Sequence, residues 1–374
     1  MTVLVTGGNG FVMSNFARHW IESYPEQKVV IVDAAAPDQM AQEFFASIAH
    51  QIRWVQASIL EPKGWTSQVE QDEITCIVHG ATLTPHPYMG RDGVIRDPER
   101  EGSRRVLDVN VMGTVEVLEW ARRLRNLHRF LYVSTGSVYS DEGPAPDAPL
   151  PEQGYVDPTT LYGISKYCSE LIVRRYGQLF ELPVVAVRLS SVYGPMDRET
   201  ASRHVHSVPW LITHLALRQE ELRVSAYDAV GDWIHARDVA EAIARLLRAP
   251  RPRYSTYNIA YGRAETVRTV VDITAERIPI SHRSSSNKDA NVICDPDRRH
   301  GQWGAYDISR LREELNWEPL PLRQRLHAYI DWLRGHEFTN NSSRKRNQEC
   351  HERKRARGGN PEKRGHATPH WLPA

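Results

Sequence analysis

The 374-residue chain carries 47 Lys and Arg against 46 Asp and Glu, a formal net charge of +1. That balance gives no overall electrostatic case for nucleic acid or a membrane surface as a partner. No apolar run approaches the ~20 residues of a membrane span, and Cys76, Cys168, Cys294 and Cys350 lie too far apart for a metal site or a disulfide framework.

The length allows one large domain or two. Widely spaced cysteines read as reduced thiols, and the first strand leaves no room for a signal peptide. A cytoplasmic protein is therefore expected, with no metal.

The chain opens on Val3-Leu4-Val5, followed by Thr6-Gly7-Gly8-Asn9-Gly10-Phe11 and a helical pattern from Phe11 to Tyr24. Strand, glycine turn and helix in this order bring backbone close to a pyrophosphate and aim free N–H groups at it. A second apolar run, Val29 to Val32, ends in Asp33. An acid there accepts hydrogen bonds from a ribose 2′-hydroxyl and repels a 2′-phosphate, so NAD is expected over NADP.

Apolar runs at 2–6, 28–33, 52–56, 74–79, 129–134 and 183–190 alternate with helical patterns near 11–24, 103–126 and 159–180. This alternation predicts an α/β fold, a Rossmann-type doubly wound parallel sheet, with residues 1–190 as the NAD-binding domain. Ligands are then expected at the carboxyl ends of the strands, where Gly7, Asp33, His79-Gly80-Ala81 and Ser134-Thr135 fall.

Gly194-Pro195 breaks the pattern, and residues 191–338 read as a smaller C-terminal α/β segment that shapes a substrate cleft. It carries helical patterns near 207–219, 238–247, 266–277, 308–316 and 322–334, and strands near 222–227 and 257–260. The stretch 281–304 is polar and irregular, as functional loops often are. Residues 339–374 hold nine Lys and Arg but three Asp and Glu. They read as a disordered basic tail. No nucleic-acid role is expected of them, because stacking aromatics are absent until Trp371.

The chemistry is carried by Tyr162-Gly-Ile-Ser-Lys166. At i and i+4 on a helix the phenol and the ammonium share a face. A nearby cation favours phenolate and draws a tyrosine down from its usual value of ~10. Such a phenol can move a proton on a substrate hydroxyl. Upstream, the run Phe130 to Thr135 ends in hydroxyls at the ligand edge of the sheet, and Thr135 is placed to orient the same oxygen.

Together these stretches resemble the extended short-chain dehydrogenases/reductases, the NAD-dependent epimerase/dehydratase family. The resemblance rests on TGGNGF (6–11), VDAAAP (32–37), HGAT (79–82), NVMGTVEVLEWAR (110–122), YVSTGSVY (132–139), YGISK (162–166), RLSSVYGP (188–195), DWIHARDVAEAI (232–243) and DISRLREELNWEP (307–319). It covers roughly residues 1–335. It implies a catalytic trio of Thr135, Tyr162 and Lys166, with Lys166 lowering the tyrosine and holding the nicotinamide ribose. It implies cofactor contacts at Gly7, Gly10, Phe11, Val12, Asp33, Ser58, Ile59, Ala81 and Asn110, besides Tyr162 and Lys166. A sugar-type small-molecule substrate and a homodimer, paired through the helices that hold Asn110 and Tyr162, follow from the same likeness.

The departures from the family pattern narrow the expectation. Met13 replaces the third glycine of the turn, so the helix is expected to sit further out and to weaken cofactor binding. Ser58 stands where an aspartate commonly touches adenine. Gly136 and Ser137 replace the acidic pair of the 4,6-dehydratases, which disfavours that reaction. Ser191 replaces a substrate-side asparagine. Gly231 replaces an arginine that holds the substrate diphosphate and makes a strong charge-assisted contact. Ser137, Ser191, His86 and Arg203 are the candidate substrate residues, and Arg198 is another available base. An epimerase and a net dehydrogenase of a smaller sugar, sugar acid or polyol share these residues. A non-catalytic cofactor sensor also stays open, although its signature would be a broken Tyr/Lys pair.

Overall fold

Seven short apolar runs align in parallel to make one sheet. They are β1 (Thr2–Thr6), β2 (Lys28–Asp33), β3 (Ile52–Gln56), β4 (Ile74–His79), β5 (Arg129–Thr135), β6 (Val184–Leu189) and β7 (Thr256–Ile259). Their spatial order is β3-β2-β1-β4-β5-β6-β7, and every neighbouring pair is parallel. The computed structural model describes residues 1–69, 73–86, 88–89, 94–139, 148–224, 226–280, 292–294 and 304–336.

A parallel sheet is covered on both faces, which is why its strands are almost wholly apolar. Val3, Val5 and Ile31 point to one face and pack with Phe16 and Trp20 of helix α1 (Phe11–Ser23). Leu4, Val30, Val32, Ile77, Phe130 and Tyr132 point to the other, against Trp65 and Trp120. Trp120 lies on α2 (Gly113–Ala121), and its ring meets Trp65 edge-on at 4.9 Å. Between β5 and β6 runs α3 (Leu161–Phe180), capped by the Thr160 hydroxyl, which accepts the Gly163 N–H.

The main sheet crosses the boundary expected at 190. Strand β7 comes from the C-terminal segment yet pairs with β6, and α4 (Ala236–Arg248) packs on α1. Two further strands of the same segment, Trp233–His235 and Ser191–Tyr193, pair with each other beside the cleft. The helix expected at 103–126 is also interrupted. An α-helix at Pro98–Leu107 passes through a π-helical turn at Asp108–Met112 before α2 begins. The stretch expected to be irregular, 281–304, contains a strand at Val292–Cys294 that pairs with Leu222–Val224. The basic tail from 339 lies outside the described residues.

Among the described residues no helix is long and apolar enough to cross a membrane. No group of three or more His, Cys, Asp or Glu there could hold a metal ion.

Candidate active site

A cleft of about 980 Å³ opens at the carboxyl ends of the strands, where β1 lies between β2 and β4 and the strand order reverses. This switch point is where doubly wound sheets take their ligands. At its floor, Gly7 has φ 73°, and a Cβ there would come 2.8 Å from the Ala81 Cα. Both the left-handed backbone and the close approach require glycine. Gly10 caps α1 without a side-chain acceptor, and the first turn carries no acid. The N–H groups of that turn are therefore unsatisfied by side chains, and Gly10, Phe11 and Val12 line the cleft.

Met13 is accommodated differently from expectation. Its thioether lies where a Cβ on Gly80 would be, 2.4 Å from the methionine Cγ. The missing glycine of the turn is thus offset by a glycine at the end of β4, and Met13 is buried in the core.

At the tip of β2 the Asp33 carboxylate accepts the N–H of Asn9 at 3.0 Å and of Ala35 at 2.9 Å. Burial pushes its carboxyl up, opposed by those two N–H bonds and by the charge of Arg198. Arg198 spans the cleft wall, pairing with Asp38 at 2.7 Å and donating to the backbone of Asn9 and Met196. Asp33→Ser is expected to cost about tenfold or more in NAD affinity, the worth of hydrogen bonds to a charged acceptor. NADP binding should gain relative to NAD, with Arg198 near enough to meet a 2′-phosphate. Titration of both dinucleotides by calorimetry checks this, and an unchanged ratio would remove Asp33 from the ribose.

Across the cleft, β5 delivers Thr135. Its hydroxyl donates to Ser137 Oγ at 3.2 Å and accepts the Ser137 N–H, and it is near enough to the Tyr162 phenol to favour the phenolate. Gly163, beside Tyr162, is forced by the Ser137 carbonyl, which a Cβ would meet at 2.3 Å. His86 places its ring edge-on to Tyr162 at 5.8 Å, with burial and Arg203 pushing its imidazole down. Lys166 is buried, its Nζ 4.4 Å from the centre of the Tyr132 ring. Burial pushes this ammonium down to about 7, and Glu170 pulls it back.

The electrostatics of the phenol differ from the sequence expectation. Burial pushes Tyr162 up, and the groups opposing it are the Thr135 hydroxyl and the positive charge of Arg203. Lys166, on the same helix face, lies over the Tyr132 ring. Helical spacing placed the two residues on one face; it could not show which cation the phenol feels.

Asn110 also differs from expectation, because it is buried and does not line the cleft. Its side chain accepts from the Thr82 hydroxyl and the Leu83 N–H, and donates to Leu83 and to Ser165 Oγ. Ser165 in turn donates to the Tyr162 carbonyl at 2.8 Å. The Asn110 carbonyl, freed by the π turn, accepts from Thr114 and Ser169. A π turn of this kind is common where a helix serves a site. A second chain joins the phosphate turn to the same point. Thr6 Oγ1 lies 2.7 Å from His79 Nδ1, and His79 Nε2 lies 3.0 Å from Thr114 Oγ1.

Ser58, Ile59 and Ala81 line the cleft, as do Ser137, Ser191, His86 and Arg203. Arg203 pairs with Asp197 at 3.0 Å and lies over the Phe11 ring. Asp197 is fully buried and also holds His206. Against the burial penalty, Arg203 and His206 keep its carboxyl low. Asp232 receives the N–H groups of Tyr261, Gly262 and Tyr306, so it ties three segments together. At Gly231, where an arginine was missed, a Cβ would lie 2.7 Å from the Trp233 indole. Trp233, inside the stretch 232–243, and Asp197, His206 and Tyr306 were given no site role in the sequence reading.

The parallel sheet, the glycine cradle at the switch point and the acid closing β2 define a Rossmann-type dinucleotide-binding protein. A family model described as NAD dependent epimerase/dehydratase family matches residues 3–260, and the chain belongs to that family. A dTDP-glucose 4,6-dehydratase of Mycobacterium tuberculosis is 28% identical over 341 residues, covering 90% of this chain and 94% of the relative. Among solved structures, a UDP-glucose 4-epimerase of Thermotoga maritima, determined with UDP-glucose, superposes with a TM-score of 0.72 at 22% identity. The match spans 90% of this chain and 99% of that one. A Bacillus anthracis dTDP-glucose 4,6-dehydratase in complex with NAD gives a TM-score of 0.71 at 24% identity, over 90% and 97% of the two chains.

Proposed function

We propose that the chain is an NAD-dependent enzyme that oxidises a secondary hydroxyl of a sugar or nucleotide sugar. The observation carrying this reading is that Thr135 and Tyr162 line the same cleft as the Gly7–Gly10 cradle and Asp33. The cradle fits a pyrophosphate by its free N–H groups, and Asp33 fits an adenosine ribose. When bound, NAD would supply the hydride acceptor. Tyr162 takes the proton of the substrate hydroxyl, and Thr135 holds that oxygen toward the phenol. Lys166 lies one helical turn from Tyr162 on the cofactor side. Asn110 fixes the backbone beneath both through Ser165 and Leu83.

A 4,6-elimination needs a further acid and base, and positions 136 and 137 offer a glycine and a serine. The reading is therefore an epimerase, which returns the hydride to the other face of the ketone. A net dehydrogenase of a smaller sugar, sugar acid or polyol is favoured by one observation, the indole that fills the space beside Gly231. Homodimerisation belongs to the same reading. Leu107, Met112, Ile164 and Leu171 are exposed on the elements that hold Asn110 and Tyr162.

The test is to purify the full chain without added cofactor, denature it and quantify the dinucleotide released. NAD close to one per chain is expected if the cofactor stays bound through the cycle, as an epimerase requires. An empty protein that binds NAD reversibly would favour the dehydrogenase. No binding in either condition would overturn the cofactor assignment.

A further inference from the structure

Gly136 follows Thr135 directly and lines the cleft, yet the space its side chain would need is already taken. A Cβ built there would lie 1.9 Å from the Tyr306 hydroxyl, 2.5 Å from Cζ and 2.6 Å from Cε2. The intruding atoms belong to a rigid ring that has little room to retreat. Tyr306 is 4% exposed, its ring packs edge-on against Tyr139 at 5.5 Å, and its N–H is tied to the buried Asp232 at 3.2 Å. Tyr306 and Gly136 therefore form an obligate pair, a large residue against none.

The phenol also has a free end. Tyr306 lines the cleft, and no hydrogen bond of its hydroxyl to another described residue is present. A hydroxyl so placed keeps a donor for whatever enters. Burial, with Asp232 and Tyr139 adding to it, pushes this phenol up, so it stays protonated and able to donate. It lies against Gly136, the residue next to Thr135 in the chain.

We propose that Tyr306 is a specificity-determining residue of the substrate half of the cleft. Its ring requires glycine at 136, and its hydroxyl donates a hydrogen bond to a substrate oxygen beside the carbon that Thr135 and Tyr162 address. The substrate is then a polyhydroxylated one, with oxygen on adjacent carbons. The proposal rests on the sugar reading of the cleft, and it adds a residue that the motifs do not mark. It also supplies a physical reason why no carboxylate stands at 136, because that space is filled from the C-terminal segment.

Two arms on the full-length chain test it. In the first, Gly136→Ala should lower the melting temperature by roughly 2–4 °C, the scale of overpacking in a chain of this size. Tyr306→Phe should not relieve that loss, because Cζ and Cε2 remain. Tyr306→Ala combined with Gly136→Ala should melt no lower than Tyr306→Ala alone. A Gly136→Ala variant that melts like the parent overturns the pairing without reference to any substrate.

In the second arm UDP-glucose, dTDP-glucose, glucose and glucuronate are titrated onto the NAD-loaded chain by calorimetry and followed for turnover. For the best probe, Tyr306→Phe should raise Kd and KM by roughly five- to tenfold. It should leave kcat within about threefold and NAD affinity unchanged. An unchanged Kd and KM overturns the hydroxyl's role. Binding of no probe by either protein overturns the sugar reading and the hydroxyl's role with it, while the melts still decide the Gly136–Tyr306 pairing.

Discussion

Tyr162→Phe is expected to lower turnover by roughly 10²- to 10⁴-fold, the range that a positioned proton-transfer group contributes. The change removes one oxygen and leaves the ring that packs edge-on to His86. The fold should not notice, because no described backbone or core contact depends on that oxygen. NAD affinity should stay near the parent value, since the cradle and Asp33 lie across the cleft. The discriminating readout is single-turnover reduction of NAD, with the dinucleotide and substrate affinities measured separately. Loss of kcat with both affinities kept identifies a group that acts in the transition state. Thr135→Val should fall between parent and Tyr162→Phe, because Thr135 orients the oxygen but does not take its proton. Residual turnover within about tenfold of the parent in Tyr162→Phe would remove the phenol from the chemistry.

Much of this site was legible because a parallel sheet imposes simple rules. Strands covered on both faces must read as continuous apolar runs, so β1 to β6 could be found to within a residue or two. Gly7 was legible because a turn that brings backbone up to a phosphate calls for glycine, and Asp33 because an acid closing the second strand is placed to meet a ribose. What stayed hidden depends on partners distant in the chain. Strand β7 reads as a strand, but nothing in Thr256–Ile259 says that its partner is β6. Met13 reads as a defect until Gly80, 67 residues on, is found beneath it. Asn110 was placed at the site by the family likeness alone, which does not tell that its side chain is spent on Leu83 and Ser165. Tyr306 follows a polar stretch with no periodicity, and only its position against Gly136 reveals a role.

The largest loss of stability is expected at Glu170, one turn beyond Lys166 on α3. Its carboxylate takes two bonds from Arg188 of β6, Nη2 to Oε2 at 2.8 Å and Nε to Oε1 at 3.1 Å. Their side chains are 6% and 5% exposed. The remaining guanidinium nitrogen, Nη1, donates to the Glu152 carbonyl, and its carbon lies over the Tyr139 ring at 4.9 Å. Glu170→Ala would leave that cation buried with one carbonyl and one aromatic face. An unpaired buried charge costs about 3–5 kcal/mol, and at this size that lowers the melting temperature by roughly 4–7 °C. Most of this loss is the desolvation of Arg188, not the worth of the pair. Glu170→Leu with Arg188→Met should therefore melt closer to the parent than Glu170→Ala does, because no charge is left to desolvate. Thermal melts of the three proteins decide it, and a double variant less stable than Glu170→Ala would mean that the ion pair itself holds α3 against the sheet.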